Sequence, residues 1–167
     1  MAYSDKFIPT DNLIARLNPT IIAVTDPDVK TSYAGFLSVS AITVYELAIK
    51  EIFINFSDKK NKVFGAVMEA SFSKLNGRIK FSDLRGSHIK QFGQKYLDRF
   101  DQKIDKLELS SLSLAAPISP KSQYGNLLEC RHQFVHGGSP TLSVNEVIQA
   151  YTNGKGIIHC LNATMIR

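Results

Sequence analysis

Arg131, His132 and His136 fall within six residues of one another, immediately before the glycine pair Gly137-Gly138. An imidazole both takes and gives a proton near neutral pH, and a guanidinium forks onto an anionic oxygen. Together they are the parts of acid–base chemistry on a negatively charged substrate. On a helix, His132 and His136 are one turn apart and share a face, whereas Arg131 and His136 differ by about 140° around the axis, an angle the long arginine must bridge. The carbonyl end of such a helix favours a protonated His136, and Arg131 opposes it. On spacing alone, an arginine and a histidine beside a glycine cap read more often as a solvated turn and a carbonyl-capping side chain than as a catalytic pair.

Other chemistries fit less well. His132 and His136 could form an i, i+4 metal pair, but the glutamate of a HExxH site is missing and no third ligand stands nearby, so neither a metal nor another cofactor is expected. Cys130 and Cys160 have no CxxC spacing, and Cys130 lacks the rest of a nucleophilic triad. His88 and His159 are isolated and read as packing or surface residues. Glu46, in a strongly apolar stretch, either orients a side chain of the site or belongs to a solvated stripe with Lys50. Lys155, between two glycines, either contacts an anionic substrate or is a plain surface lysine.

The elements that must position these residues are helical, because apolar residues recur at helical spacing and alternating β-branched runs are scarce. The motif helix is predicted over about 122–137, ended by Gly137-Gly138 with Pro140 beyond. A last helix should run from Val144 to Met165, with Ser143 and Glu146 as a capping box and Gly154 and Gly156 as candidate breaks. Upstream, a short helix is predicted over Asp11 to Val24, kinked or split at Asn18-Pro19. A long core helix should follow the Asp26-Pro27-Asp28 turn to about Phe56, and another should cover Lys60 to Leu75 and stop at Asn76-Gly77. Ser82 is the expected N-cap of a helix reaching about Lys106, although Gly86 and Gly93 weaken it, and Leu107 to Lys121 reads as a loop. The sum is an all-α bundle of about five to six helices, in one domain over residues 1–167.

With 44% hydrophobic residues in 167, the chain can fill one core and not two. Its net charge of +5 suits a polyanionic partner without requiring one, and the basic residues are scattered, so such a partner should meet a folded face. No signal peptide or membrane-spanning run is evident and the two cysteines imply no disulfide framework, so a soluble cytoplasmic protein is expected.

The run Arg131-His132-Gln133-Phe134-Val135-His136-Gly137-Gly138 resembles the Rx4-6H signature of the HEPN superfamily, and with Val144-Asn145-Glu146-Val147 downstream it looks like the RiboL-PSP and related prokaryotic HEPN domains. Ala41-Ile42-Thr43-Val44-Tyr45-Glu46-Leu47 fits the same pattern, so the resemblance covers about Thr31 to the end and leaves the first thirty residues unplaced. It implies a HEPN-type helical bundle and metal-independent cleavage of RNA by its 2′-hydroxyl, leaving a 2′,3′-cyclic phosphate and a 5′-hydroxyl. Arg131 and His136 would be catalytic, and His132 would contact phosphate, orient Arg131 or merely fill the polar position. The resemblance further implies a homodimer with a composite cleft, acting as a toxin or antiviral defence nuclease under an antitoxin or inhibitory partner. The alternative is a catalytically silent HEPN module for RNA binding or dimerisation.

Overall fold

A computed structural model describes residues 2–73, 75, 77–113 and 117–166, and among these there are helices and turns but no strand. Two of the helices start on a polar cap followed by proline, whose missing N–H costs nothing at the first helical position. Asp26 caps α2 (Pro27–Lys60) by accepting from the Asp28 and Val29 amides at 2.8 and 3.4 Å, and Ser119 caps α6 (Pro120–Gly137) by accepting from Ser122 at 3.0 Å. The remaining elements are α1 (Ile8–Ala23), α3 (Lys62–Phe72), the short α4 (Phe81–Asp83), α5 (Gln94–Leu112) and α7 (Val144–Met165).

The core sits around α2, which packs against α1, α3, α6 and α7. Its Leu37, Ala41, Tyr45, Ala48, Ile49 and Phe53 are wholly buried, as a helix apolar on most sides requires. At the centre, Tyr45 stacks between Tyr124 of α6 and Tyr151 of α7, with ring centroids 5.6 Å away on each side. Each phenol has an acceptor: Tyr45 donates to the Tyr151 carbonyl, Tyr124 to Ile79 at 2.6 Å and Tyr151 to Phe7 at 3.3 Å. Burial is the main reason that all three phenols are held above their ordinary range.

The all-helical expectation holds, and the expected capping box is present: Ser143 N–H donates to the Glu146 carboxylate at 2.8 Å while Glu146 N–H donates to Ser143 Oγ at 3.4 Å. The Ser143 hydroxyl and amide hold the Glu146 carboxyl below its usual value. Several expected boundaries change. Residues before Asp11 are already helical, as a 3-10 turn over Tyr3–Phe7 running into α1, and α1 continues through Pro19. The single helix expected from Ser82 to Lys106 is broken: α4 passes into a wide turn over Leu84–Ile89 and a tight one over Lys90–Phe92, and Gly93, at φ 103°, turns the chain before α5. That split raises the count to seven α-helices among the described residues, above the five to six expected. The expected loop from Leu107 starts later, because α5 runs to Leu112; Leu114 to Ala116 and Asn76 lie outside the described residues.

Gly154 and Gly156 do not break α7. They are contact points instead: a Cβ at Gly154 would lie 2.7 Å from the Tyr45 hydroxyl oxygen, and one at Gly156 would lie 2.9 Å from a Leu107 methyl. The absent side chains let α7 approach the tyrosine stack and α5.

Candidate active site

The motif helix α6 is fixed by one face. Tyr124, Leu127 and Cys130, spaced by three, are wholly buried. One turn on, Phe134 drives its ring into the surface of α2 at Gly35, where a Cβ would meet it at 2.1 Å, and the edge of Phe36 lies against it with centroids 5.3 Å apart. With that side turned to the core, helix geometry sends His132 and His136 outward; both are exposed, with ring centroids 4.6 Å apart. Arg131, between the two faces, is half-buried. Gly138, at φ 75°, then closes the helix and its N–H donates to the Phe134 carbonyl at 3.0 Å. A left-handed residue there is what a helix end of this kind needs, and His136 is left in the last turn beside it.

Beside Arg131 and His132 runs a groove of about 450 Å³, whose opposite wall includes Gly77, Lys80 and Ser82. Glu46 supports that wall: its carboxylate accepts the Gly77 N–H at 2.9 Å. Among the described residues it makes no hydrogen bond to Arg131, His132 or His136 and no ion pair with Lys50. His88 Nε2 donates to the next carbonyl, that of Arg78, at 2.8 Å, and Tyr124 takes the one after, at Ile79. The sequence marks Glu46 only as an acidic residue in an apolar helix and His88 only as an isolated histidine, while Tyr124 and Lys80 carry no signal in it.

Arg131 has no ion pair or hydrogen bond among the described residues, and neither does the Lys80 side chain, whereas Lys6, Lys62, Arg85 and Lys155 all have carboxylate partners. The acidic residue nearest in sequence to the motif, Glu129, accepts from the Gln133 amide at 2.6 Å. Glu129 lines the same groove, which therefore sets two cations without an ion-pair partner against one carboxylate, and the remaining positive charge favours an anionic ligand.

Other candidates fall elsewhere. Lys155 is 2.6 Å from Asp11 and lies over the rings of Tyr151 and Phe7, at 4.3 and 5.1 Å, so its charge is already engaged by the N-terminal segment. His159 is hydrogen-bonded to the Tyr3 hydroxyl at 2.8 Å and packs on Tyr3 and Phe7; partial burial, then the Lys155 charge, lowers its imidazole below the ordinary value. His136 is on the motif face but does not line the groove that Arg131 and His132 share. Among the described residues there is no group of three or more histidine, cysteine, aspartate or glutamate side chains placed to hold a metal ion, and no helix is long and apolar enough to cross a membrane.

An all-helical domain that presents an arginine and two histidines at a glycine-capped helix end is the class that fold and site define. The RiboL-PSP-HEPN family model matches residues 7–166, and the chain belongs to this family. The match takes in most of the first thirty residues, which the motif resemblance had left aside. Neither the curated proteins nor the solved structures offer a significant match.

Proposed function

We propose that this protein is a metal-independent endoribonuclease. The observation that carries the reading is the motif helix end, where Arg131 has no ion pair or hydrogen bond among the described residues and His136 is exposed on a helix locked to α2 by Phe134. Membership in the RiboL-PSP-HEPN family supports it. In the reaction proposed, an imidazole accepts the ribose 2′-hydroxyl proton as that oxygen attacks the adjacent phosphorus. The bond to the 5′-oxygen breaks, that oxygen takes up a proton, and a 2′,3′-cyclic phosphate and a 5′-hydroxyl result. Arg131 pairs with the non-bridging oxygens and stabilises the charge that builds on them. His132, in ring contact with His136, contacts phosphate or orients Arg131.

The working unit proposed is a homodimer, since each chain supplies one such arginine and the motif face is uncovered. Phe36 and Val135, 64% and 48% exposed next to that face, give a second copy an apolar surface to cover. The biological role proposed with it is that of a cytoplasmic toxin or antiviral defence nuclease held in check by an antitoxin or inhibitory protein. One observation favours a second reading: His136 lies outside the groove of Arg131 and His132, as a silent module that only binds RNA would allow.

The test is incubation of purified protein with single-stranded RNA in excess EDTA. The expected outcome is cleavage leaving cyclic phosphate ends. Activity abolished by EDTA and restored by a divalent ion would overturn the metal-free mechanism, and RNA binding without cleavage would favour the silent module.

A further inference from the structure

Loop 77–80 has no regular secondary structure before α4, yet each of the three residues ahead of Lys80 is held at its backbone by a side chain from a different element. Glu46 of α2 takes the Gly77 amide at 2.9 Å, His88 the Arg78 carbonyl at 2.8 Å, and Tyr124 of the motif helix the Ile79 carbonyl at 2.6 Å. Ile79 is itself wholly buried. Burial of Ile79 requires a protein partner for its carbonyl, but Gly77 and Arg78 are not buried, and water could satisfy their backbone groups equally well. What the anchors accomplish is position. Through Tyr124 the loop is tied to the helix that carries Arg131, so the Lys80 backbone has a fixed place relative to that helix.

Lys80 follows the last anchored residue. Its carbonyl accepts from Asp83 and Leu84, at 2.9 and 3.0 Å, while its side chain is exposed, unpaired among the described residues and part of the groove lined by Arg131 and His132. We infer that the anchored loop is the second wall of the RNA site and that Lys80 is a positioning residue, holding a backbone phosphate next to the one that Arg131 engages. The inference rests on the ribonuclease reading for its substrate class, a single-stranded phosphodiester. A lysine ammonium acts there as a point charge without demanding one phosphate orientation, so it fixes the strand's register and leaves the sequence unread.

The experiment measures binding of a fluorescein-labelled oligouridylate across a salt series, in a His136→Ala background so that the strand survives. Lys80→Ala should weaken binding and lower the slope of log affinity against log salt by about 0.7, the contribution of one phosphate contact on a single strand. Lys80→Arg should restore the slope, and Lys95→Ala, which removes an exposed charge from α5, should leave it unchanged. With His136 intact, Lys80→Ala should raise KM far more than it lowers kcat, with the unfolding midpoint unchanged. A slope and KM equal to the parent's, in protein that binds and cleaves the strand, would overturn the role of Lys80 and leave the ribonuclease reading standing. A Lys80-dependent slope in protein that does not cleave would support the site and count against catalysis. No binding by the parent would overturn both.

Discussion

Substituting His136 or Arg131 by alanine should lower the rate of RNA cleavage by at least about 10²-fold, the scale of one acid–base or charge-stabilising group, and should leave the protein folded. Folding survives because neither side chain is part of the packing that fixes α6. That work is done by Tyr124, Leu127, Cys130 and Phe134, while His136 is exposed and Arg131 has no hydrogen-bonded partner among the described residues. Arg131→Lys should be nearly as damaging as alanine, since an ammonium cannot reproduce the two-pronged contact with phosphate oxygens. His132→Ala should cost less if that ring only orients its neighbours. The measurement is initial rate on a labelled strand, alongside circular dichroism and thermal unfolding of each variant. A folded His136→Ala protein that cleaves like wild type would remove the catalytic reading and leave the silent module as the better account.

Mixing the two inactive proteins should bring activity back. If each cleft takes its arginine from one subunit and its histidine from the other, a mixed dimer of Arg131→Ala with His136→Ala holds one intact cleft and one doubly defective one. Random exchange of equal amounts makes half the dimers mixed, so activity should rise to about a quarter of wild type from a hundredth or less. The two proteins must be unfolded and refolded together, or otherwise given time to exchange subunits, with each one treated alone as the control. No recovery in a mixture shown to contain mixed dimers would rule out a cleft that takes its arginine from one chain and its histidine from the other, and an active monomer by light scattering would remove the shared cleft altogether.

What the sequence discloses about this molecule is mostly local. The capping box of α7 is legible because its partners are three residues apart, and the end of α6 is legible because glycine pairs have few other uses at such a place. Arg131, His132 and His136 are legible for the same reason, being carried on one short helical segment. Errors arise where a distant element decides. Gly154 and Gly156 look like breaks until Tyr45 and Leu107 are seen pressing on them, and Glu46 looks like half of a surface stripe until Gly77 arrives at its carboxylate. Lys155 looks free until Asp11, at the other end of the chain, is folded against it. The wall of the groove is the extreme case. It comes from a loop with no periodicity of its own, held by a glutamate, a histidine and a tyrosine from separate helical segments, and nothing in the spacing of those residues announces their meeting.

The contact between Phe134 and Gly35 has a consequence for how such a chain can change over time. A methyl group at position 35 has no room unless the ring at 134 shrinks or swings away, and a smaller residue at 134 leaves a hollow against α2 unless position 35 grows. Either step taken alone disturbs the helix end that carries Arg131 and His136; taken together, they can preserve it. The two positions should therefore be inherited as a pair, with glycine at 35 accompanying an aromatic at 134 and larger residues at 35 accompanying small aliphatic ones. An alignment of relatives in which the two vary independently would show that the helix end tolerates more movement than its packing suggests.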